Sequence, residues 1–164
     1  ETTKIMIGVG ARVWFFLPCE GPAGARLGAP TGVDLPAIYT AGGRAMLADL
    51  PDRSLELLLG GSSASRSGDA LSARERARLR SELASVRRLG YARNFDDTEI
   101  GVSAVGAAVR DGSGRAVAAV ALAARSSRVG RVQSRESIER LLLCCERLEA
   151  DLAEADAAEP GAAD

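Results

Sequence analysis

The sequence predicts an α+β domain in which one antiparallel sheet carries helices on its faces. Strand-like runs stand near both ends of the chain, and helical patterns lie between them. Segregated strands and helices are typical of an antiparallel sheet, whereas strict alternation would indicate a parallel one. At 164 residues the chain is most simply one domain, with a core large enough to fold without metal or disulfides.

The chain begins with a predicted hairpin. Residues 3–9 and 12–17 are rich in Ile, Val and aromatic side chains, and a glycine-containing turn separates them. Residues 20–36 are predicted to be a loop because Pro and Gly recur throughout, although residues 25–27 could form a short strand.

Two short helices and a polar stretch follow the loop. Thr40 can cap a helix over residues 41–50, which Pro51 ends, and a second helix covers residues 52–59. The small, polar residues at 60–69 form either a linker or a loop over a site.

A longer helix and a second hairpin come next. Ser72 and Glu75 form a capping box, after which apolar residues recur at helical spacing until Gly90 ends the helix. The arginines on its other side are expected to be a solvated face rather than a partner surface. Strands at 102–109 and 116–123 flank a turn of Asp, Gly and Ser residues.

The last helix is predicted to begin at Ser134 and to fray after Ala153. Its expected inner face consists of Ile138, Leu141, Leu142, Cys145, Leu148 and Leu152. Cys144 and Cys145 are neighbours in this helical pattern, where successive side chains diverge, so we expect buried, reduced thiols rather than a disulfide.

Charge and residue usage exclude several classes of function. Lys and Arg number 21 against 22 Asp and Glu, so the chain lacks the basic surplus of a protein that binds nucleic acid on its own. Histidine is absent, which removes the commonest general base and a frequent zinc ligand. No phosphate-binding glycine loop occurs. The sequence therefore predicts no enzyme, no metal site and no cofactor.

No apolar run approaches the ~20 residues that a membrane span needs, and no secretory leader is recognisable. We therefore expect a soluble, cytoplasmic protein without a membrane partner.

The second hairpin has one face of small side chains, because side chains alternate along a strand. This small face consists of Ala104, Gly106, Ala108, Ala119, Ala121 and Ala123. Strands usually carry β-branched residues, so the small face permits close approach by something else. Either a helix packs tightly there, or a small molecule binds in a pocket rimmed by residues 34–43 and 94–101. The free amides of a helix that starts near Thr40 favour an anion, which slightly favours the pocket.

Three stretches of the sequence resemble the C-terminal effector-binding domain of the IclR family of bacterial transcription regulators. "ETTKIMIGVGARVWFF" is similar to the family's opening ET and hairpin, and "GVDLPAIYTAGGRAMLADLPD" to its LHATALGKALLA stretch. "RRLGYARNFDDTEIGVSAVGAAVRDGSGRAVAAVALA" is similar to its RxxGYA and GVxCVAAPVxDxxGxVVAALSVSG run. The motifs stand in the family's order, and the resemblance spans nearly the whole chain.

The resemblance implies a GAF-like fold with an effector pocket between a curved sheet and its helices. Residues 1–157 would form this domain and residues 158–164 a disordered tail. The resemblance also implies a homodimer or homotetramer in the whole regulator. DNA would be bound by an N-terminal winged helix-turn-helix that this sequence does not include.

The resemblance places the ligand-binding residues at Leu27, Leu35, Thr40, Ala41, Gly42, Asn94, Ala104, Ala121 and Ala123. Family members often carry Cys or Ser where this sequence has the last three alanines, and Ala123-Ala124-Arg125 replaces their SGP. Fewer polar partners indicate a larger or more apolar effector, with an aromatic one as an option.

Two other interpretations stay open. The chain could be a stand-alone GAF-like sensor without a DNA-binding partner. It could also be a small enzyme that uses Asp96, Asp97 or Glu99 as acid and base, although an acidic turn is far more often simply solvated.

Overall fold

The computed structural model describes residues 2–20, 32–60 and 71–158. The strands there are β1 (Thr2–Val9), β2 (Arg12–Glu20), β3 (Asp34–Pro36), β4 (Ala92–Phe95), β5 (Val102–Arg110) and β6 (Ala116–Arg125). The helices are α1 (Ala41–Ala48), α2 (Asp52–Gly60), α3 (Ala73–Leu89), α4 (Val129–Val132) and α5 (Arg135–Ala158). The strands form one antiparallel sheet in the order β3-β2-β1-β6-β5-β4. The predicted α+β class is confirmed.

The second hairpin turn is organised by one aspartate. Oδ1 of Asp111 accepts hydrogen bonds from the backbone nitrogens of Ser113 at 3.0 Å and Arg115 at 3.1 Å. Gly114 adopts a φ of 80°, which glycine tolerates best. The turn therefore sets the register between β5 and β6 that divides their side chains into two faces.

The two faces of the sheet bury separate cores. The small face, with Met6 and Phe15 beside it, packs against helices α1, α2 and α3. The opposite face presents Val105, Val109 and Val120 to α5. The alternation predicted for β5 and β6 is thus confirmed on both faces.

Helix α3 begins and ends as predicted. The backbone nitrogen of Ser72 donates to Oε2 of Glu75 at 2.8 Å, and the nitrogen of Glu75 donates to Oγ of Ser72 at 3.3 Å. This capping box satisfies two amides that the helix itself leaves unpaired. Gly90 ends the helix in the left-handed conformation at φ 80°.

The sequence prediction was wrong at several elements. Residues 34–36 form edge strand β3 instead of loop, and the four-residue strand β4 was not foreseen. In α5, Leu152 is 38% exposed, because α5 extends beyond the sheet that covers its earlier turns. Of the two adjacent cysteines on α5, Cys144 is exposed and Cys145 is buried, because adjacent positions on one helix diverge by about 100°. The predicted strand at 25–27 lies outside the described residues.

Candidate functional site

A small cavity lies between the sheet and the start of α1. Its volume is about 40 Å³. Its walls are formed by Lys4, Met6, Phe15, Thr40, Ala41, Asn94, Thr98, Val102, Ala104, Ala121 and Ala123. Sites for small organic molecules typically span about 300–1,000 Å³, and this space suits little more than water. The cavity is therefore narrow in this structure, and any larger guest must displace part of the wall.

The small face serves two purposes, one at each end. Gly106 and Ala119 lie against α1: a Cβ on Gly106 would be 2.5 Å from the backbone nitrogen of Gly42, and a Cβ on Gly42 would be 3.1 Å from Cβ of Ala119. At the other end, Ala104, Ala121 and Ala123 line the cavity. Close helix packing is thus confirmed at one end of the small face, and a small cavity lies at the other end, where binding of a small molecule stays a prediction.

Thr40 fixes the start of α1 at the cavity wall. Its Oγ1 accepts a hydrogen bond from the backbone nitrogen of Gly43 at 2.9 Å and donates to the carbonyl of Ala37 at 3.3 Å. A Cβ on Gly43 would be 2.4 Å from that carbonyl oxygen, so this first turn requires glycine. The predicted cap is confirmed, and it places Thr40 and Ala41 in the lining.

Asn94 ties the turn at 96–101 to the segment before α1. Its Nδ2 donates to the carbonyl of Tyr39 and, at 2.7 Å, to Oγ1 of Thr98. Its Oδ1 accepts from the backbone nitrogen of Asp97 at 3.1 Å. Asn94 is 2% exposed and lines the cavity. Its polar atoms are already engaged in these hydrogen bonds.

Arg44 adds a second tie between α1 and the turn. Its guanidinium forms an ion pair with Asp97 at 2.9 Å and donates to the carbonyls of Ile38 at 2.7 Å and Arg93 at 3.1 Å. Three separate segments thus converge on one side chain. This cluster holds the turn at 96–101, which contributes Thr98 to the cavity wall, against α1.

The two aspartates of the acidic turn make structural contacts. Asp96, at φ 59°, accepts hydrogen bonds through Oδ1 from the backbone nitrogen of Gly101 at 3.1 Å and from Oγ of Ser126. Asp97 is held by Arg44. Both carboxylates hold the turn in place, and this geometry gives no support to their use as a catalytic acid and base.

Lys4 is a lining residue that sequence reasoning missed. Its side chain is 7% exposed, and its Nζ lies 5.2 Å from the ring centroid of Phe15. Burial lowers the pKa of Lys4 from its usual value, and the negative charge of Glu99 opposes this effect. Alternation along β1 could have identified it, because Thr2, Lys4 and Met6 share one face.

Six of the nine predicted ligand-binding residues surround the cavity. They are Thr40, Ala41, Asn94, Ala104, Ala121 and Ala123. Gly42 packs instead under Met6, and Leu35 packs at the margin of the first core. Leu27 lies outside the described residues. Met6, Phe15, Thr98 and Val102 also line the cavity and were not foreseen.

Comparison with protein families matches residues 1–150 to the domain described as bacterial transcriptional regulator IclR, C-terminal. A comparison with curated proteins finds no match. In the part of the chain that the structure describes, no helix is both long and apolar enough to cross a bilayer.

Solved structures share the fold. A transcriptional regulator from Rhodococcus sp. RHA1 is 28% identical with a TM-score of 0.79, over 94% of this chain and 63% of that one. The repressor BlcR of Agobacterium tumefaciens is 28% identical with a TM-score of 0.72, over 92% of this chain and 59% of that one. The chain thus spans less than two thirds of either protein.

A third structure is similar in fold alone. It is a double mutant of the inducer-binding domain of the transcription factor PobR from Acinetobacter, in complex with 3-hydroxybenzoic acid. It is 20% identical with a TM-score of 0.73, over 90% of this chain and 87% of that one.

Proposed function

Because the chain belongs to the IclR family of bacterial transcriptional regulators and matches its C-terminal domain, we propose that it is the ligand sensor of such a regulator. The effector is a small organic molecule that binds between the small face and α1. The cavity at this place is the observation that carries the proposal, because it gathers three of the buried polar residues of the described chain, Lys4, Thr40 and Asn94.

The DNA-binding function belongs, in this proposal, to a winged helix-turn-helix in the parent protein, which acts in the cytoplasm. The balanced charge of the chain agrees with this division of labour. The chain spans only 63% of the Rhodococcus regulator, which is consistent with a further domain in the parent protein. The PobR complex supports the sensing role, because a domain of the same fold binds a small aromatic acid.

We propose that the effector is more apolar than a short oxo-acid and can be aromatic. Ala104, Ala121 and Ala123 form part of the wall that the sheet contributes, and none of the three offers a side-chain hydrogen bond. Met6 and Phe15 extend this apolar surface.

We propose that binding widens this narrow cavity and so shifts the chain to a more open form. The cavity of about 40 Å³ must widen for an organic guest. The part of the wall that we expect to move is the turn at 96–101, because the side chains of Asn94 and Arg44 hold it in place. A ligand changes DNA affinity only if it favours one arrangement over another, and such coupling typically amounts to about 1–3 kcal/mol.

We further propose that the sensor works as a homodimer or homotetramer. On the outer face of the first hairpin, Ile7 is 39%, Trp14 43% and Phe16 59% exposed. Helix α5 covers β5 and β6 on that side of the sheet, so this apolar surface suits a second copy. Sedimentation of wild type and Trp14→Glu would test it, and the same mass for both would contradict it.

The sensing proposal is tested by filling the cavity. Thermal shifts with a library of small organic molecules identify ligands of the wild type, and Ala104→Leu and Ala121→Leu should then abolish their effect. Ala77→Leu is the control, because Ala77 is exposed on α3 and its substitution leaves the cavity intact. Circular dichroism verifies that all three variants fold. Unchanged calorimetric binding in both cavity variants would overturn the assignment.

A further inference from the structure

Arg110 joins two helices that lie on opposite faces of the sheet. Its Nη2 donates to Oδ1 of Asp49, at the end of α1, at 2.9 Å, and its Nε lies 2.7 Å from Oδ2 of the same carboxylate. Its backbone nitrogen donates to Oε1 of Glu149 in α5 at 2.9 Å, and its Nη1 lies 3.5 Å from that oxygen. One residue at the end of β5 therefore connects the helix beside the cavity with the helix that covers the opposite face.

Asp49 lies at the end of α1 that favours a carboxylate least. The C-terminal end of a helix carries a partial negative charge, which repels an anion. Asp49 caps α1 at this end, and its side chain is 16% exposed. Removal of a carboxylate from water is unfavourable unless a cation compensates it. Arg110 supplies this compensation, so the positions of Asp49 and Arg110 depend on each other.

Helix α1 runs along β5 from the cavity to Arg110. Gly42 packs on Gly106 near the start of the helix, and Asp49 meets Arg110 at its end. The helix rises about 11 Å from Gly42 to Asp49, and the strand covers about 13 Å from Gly106 to Arg110, so the two stay side by side. Packed elements transmit strain because the interior has little free volume. Displacement of the first turn of α1 therefore displaces its last turn as well.

Two contacts make the start of α1 sensitive to the width of the cavity. Ala121 lines the cavity and pairs with Gly106 across β5 and β6, next to the point where α1 crosses the sheet. Arg44, on α1, holds Asp97 in the turn at 96–101. A guest that presses on Ala121 or displaces the turn therefore also displaces α1.

We propose that Asp49, Arg110 and Glu149 couple the width of the cavity to the position of α5. The inference rests on the proposed sensing function, in which a bound effector widens the cavity. When α1 moves away from the sheet, Asp49 draws the guanidinium of Arg110 with it, and the contacts between Arg110 and Glu149 lengthen. Residues 150–158 of α5 are exposed. The far end of α5 thus changes its position on the surface of the domain in response to the cavity.

The experiment uses a filled cavity in place of a ligand. Ala121→Leu adds a branched alkyl group to a cavity of about 40 Å³, so the wall must move. Backbone amide signals in ¹H–¹⁵N spectra report the local change, and each background is recorded with and without Ala121→Leu. The backgrounds are wild type, Arg110→Met and Arg115→Met. Arg115→Met is the matched control, because Arg115 follows the turn of the same hairpin, is 76% exposed and pairs with Asp111.

In the wild-type background, Ala121→Leu should shift the amide signals of residues 145–152 on α5. The Arg110→Met background should lose this shift, and the Arg115→Met background should keep it. The inference is overturned if the signals of α1 shift and those of α5 do not. Persistence of the α5 shift in the Arg110→Met background would overturn it as well.

A second variant covers the case in which Arg110→Met does not fold, which circular dichroism reveals. Glu149→Gln keeps the size of the side chain and removes the charge that faces Arg110. Ala121→Leu should then shift the α5 signals less in the Glu149→Gln background than in the wild type. An equal shift in both backgrounds would overturn the inference.

The outcomes separate this inference from the sensing function. The spectra need no ligand, so they decide the coupling whatever the library screen finds. A library ligand that binds the wild type and leaves the α5 signals unchanged would overturn the coupling, and the sensing function would stand. A shift that depends on Arg110, together with a screen that finds no ligand, would count against the sensing function alone.

Discussion

Gly106 on β5 lies directly against the backbone of α1. A Cβ at this position would be 2.5 Å from the nitrogen of Gly42 and 2.7 Å from the carbonyl carbon of Ala41. The opposing atoms belong to the backbone, so no side chain can turn aside to make room. This contact sets the height of the first turn of α1 above the sheet, and thus the depth of the cavity next to it.

Gly106→Ala should therefore destabilise the domain by about 1–3 kcal/mol, the usual cost of overpacking a tight interior. The free energy of unfolding in urea measures it. A fully folded variant should also have a cavity of altered depth, because α1 must move away from the sheet.

Gly112→Ala is the matched control for this substitution. Gly112 lies in the turn of the same hairpin, and a Cβ there would meet no atom within 4 Å. Its effect should stay within about 0.5 kcal/mol. Equal stabilities of the two variants would show that the close approach of Gly106 to α1 does not exist in solution.

Local patterns were sufficient to predict the second hairpin and the capping box. The division of β5 and β6 into a small and a large face follows from alternation alone. The Ser72 and Glu75 box follows from their spacing. These features depend on neighbours in the chain, so their prediction needs no knowledge of tertiary contacts.

Tertiary contacts determined what the sequence could not reveal. Strand β4 is four residues long and is defined by its pairing with β5, which its composition does not indicate. Helix α1 crosses the small face at Gly106 and not at Ala104. This crossing point determines which part of the small face packs against the helix and which part lines the cavity. Lys4 became a lining residue only when β1 paired with β6, which aligns it with Ala121.

Arg44→Met should loosen the turn that closes the cavity. The substitution leaves the carbonyls of Ile38 and Arg93 without their guanidinium donor and Asp97 without its ion pair. Hydrogen bonds to charged groups contribute about 1.5–3 kcal/mol each, so a loss of about 2–3 kcal/mol in the free energy of unfolding is expected. Amide hydrogen exchange at residues 96–101 should become faster than in the wild type.

Arg78→Met is the control for Arg44. The side chain of Arg78 is 83% exposed and pairs with Glu82 one turn along α3. Such surface pairs contribute little, so its stability should change by less than about 0.5 kcal/mol. An unchanged exchange rate of the turn in Arg44→Met would contradict the proposed closure.

Asn94→Ala should destabilise the domain in the absence of any ligand. The variant removes the two donors and the acceptor that connect Tyr39, Thr98 and Asp97. The variant loses these hydrogen bonds, each of which contributes about 0.5–1.5 kcal/mol, although the carbonyl of Tyr39 still accepts from Thr98. Chemical denaturation of the ligand-free protein measures the effect. A stability equal to that of the wild type would instead favour a role for Asn94 in ligand binding alone.

Adjacent cysteines on α5 have opposite environments. Cys145 is 4% exposed, and its Sγ lies 3.8 Å from the carbonyl oxygen of Ala107. Burial, followed by the nearby Cys144 and Glu149, raises the pKa of Cys145 to about 12. Cys144, by contrast, is exposed.

Iodoacetamide should therefore modify Cys144 at pH 8 and leave Cys145 intact in the folded protein. The thiolate is the reactive species, and a thiol with a pKa of about 12 stays protonated at this pH. Peptide mapping by mass spectrometry follows both sites separately, and urea should expose Cys145 to the reagent. Rapid labelling of Cys145 without urea would show that α5 does not pack on β5 as described.

The raised pKa of Cys145 also makes the stability of the domain depend on pH. As the pH rises from 9 toward 12, the unfolded chain loses the proton of this thiol while the folded chain keeps it, so the folded state becomes less stable. This loss of stability should be smaller in Cys145→Ala.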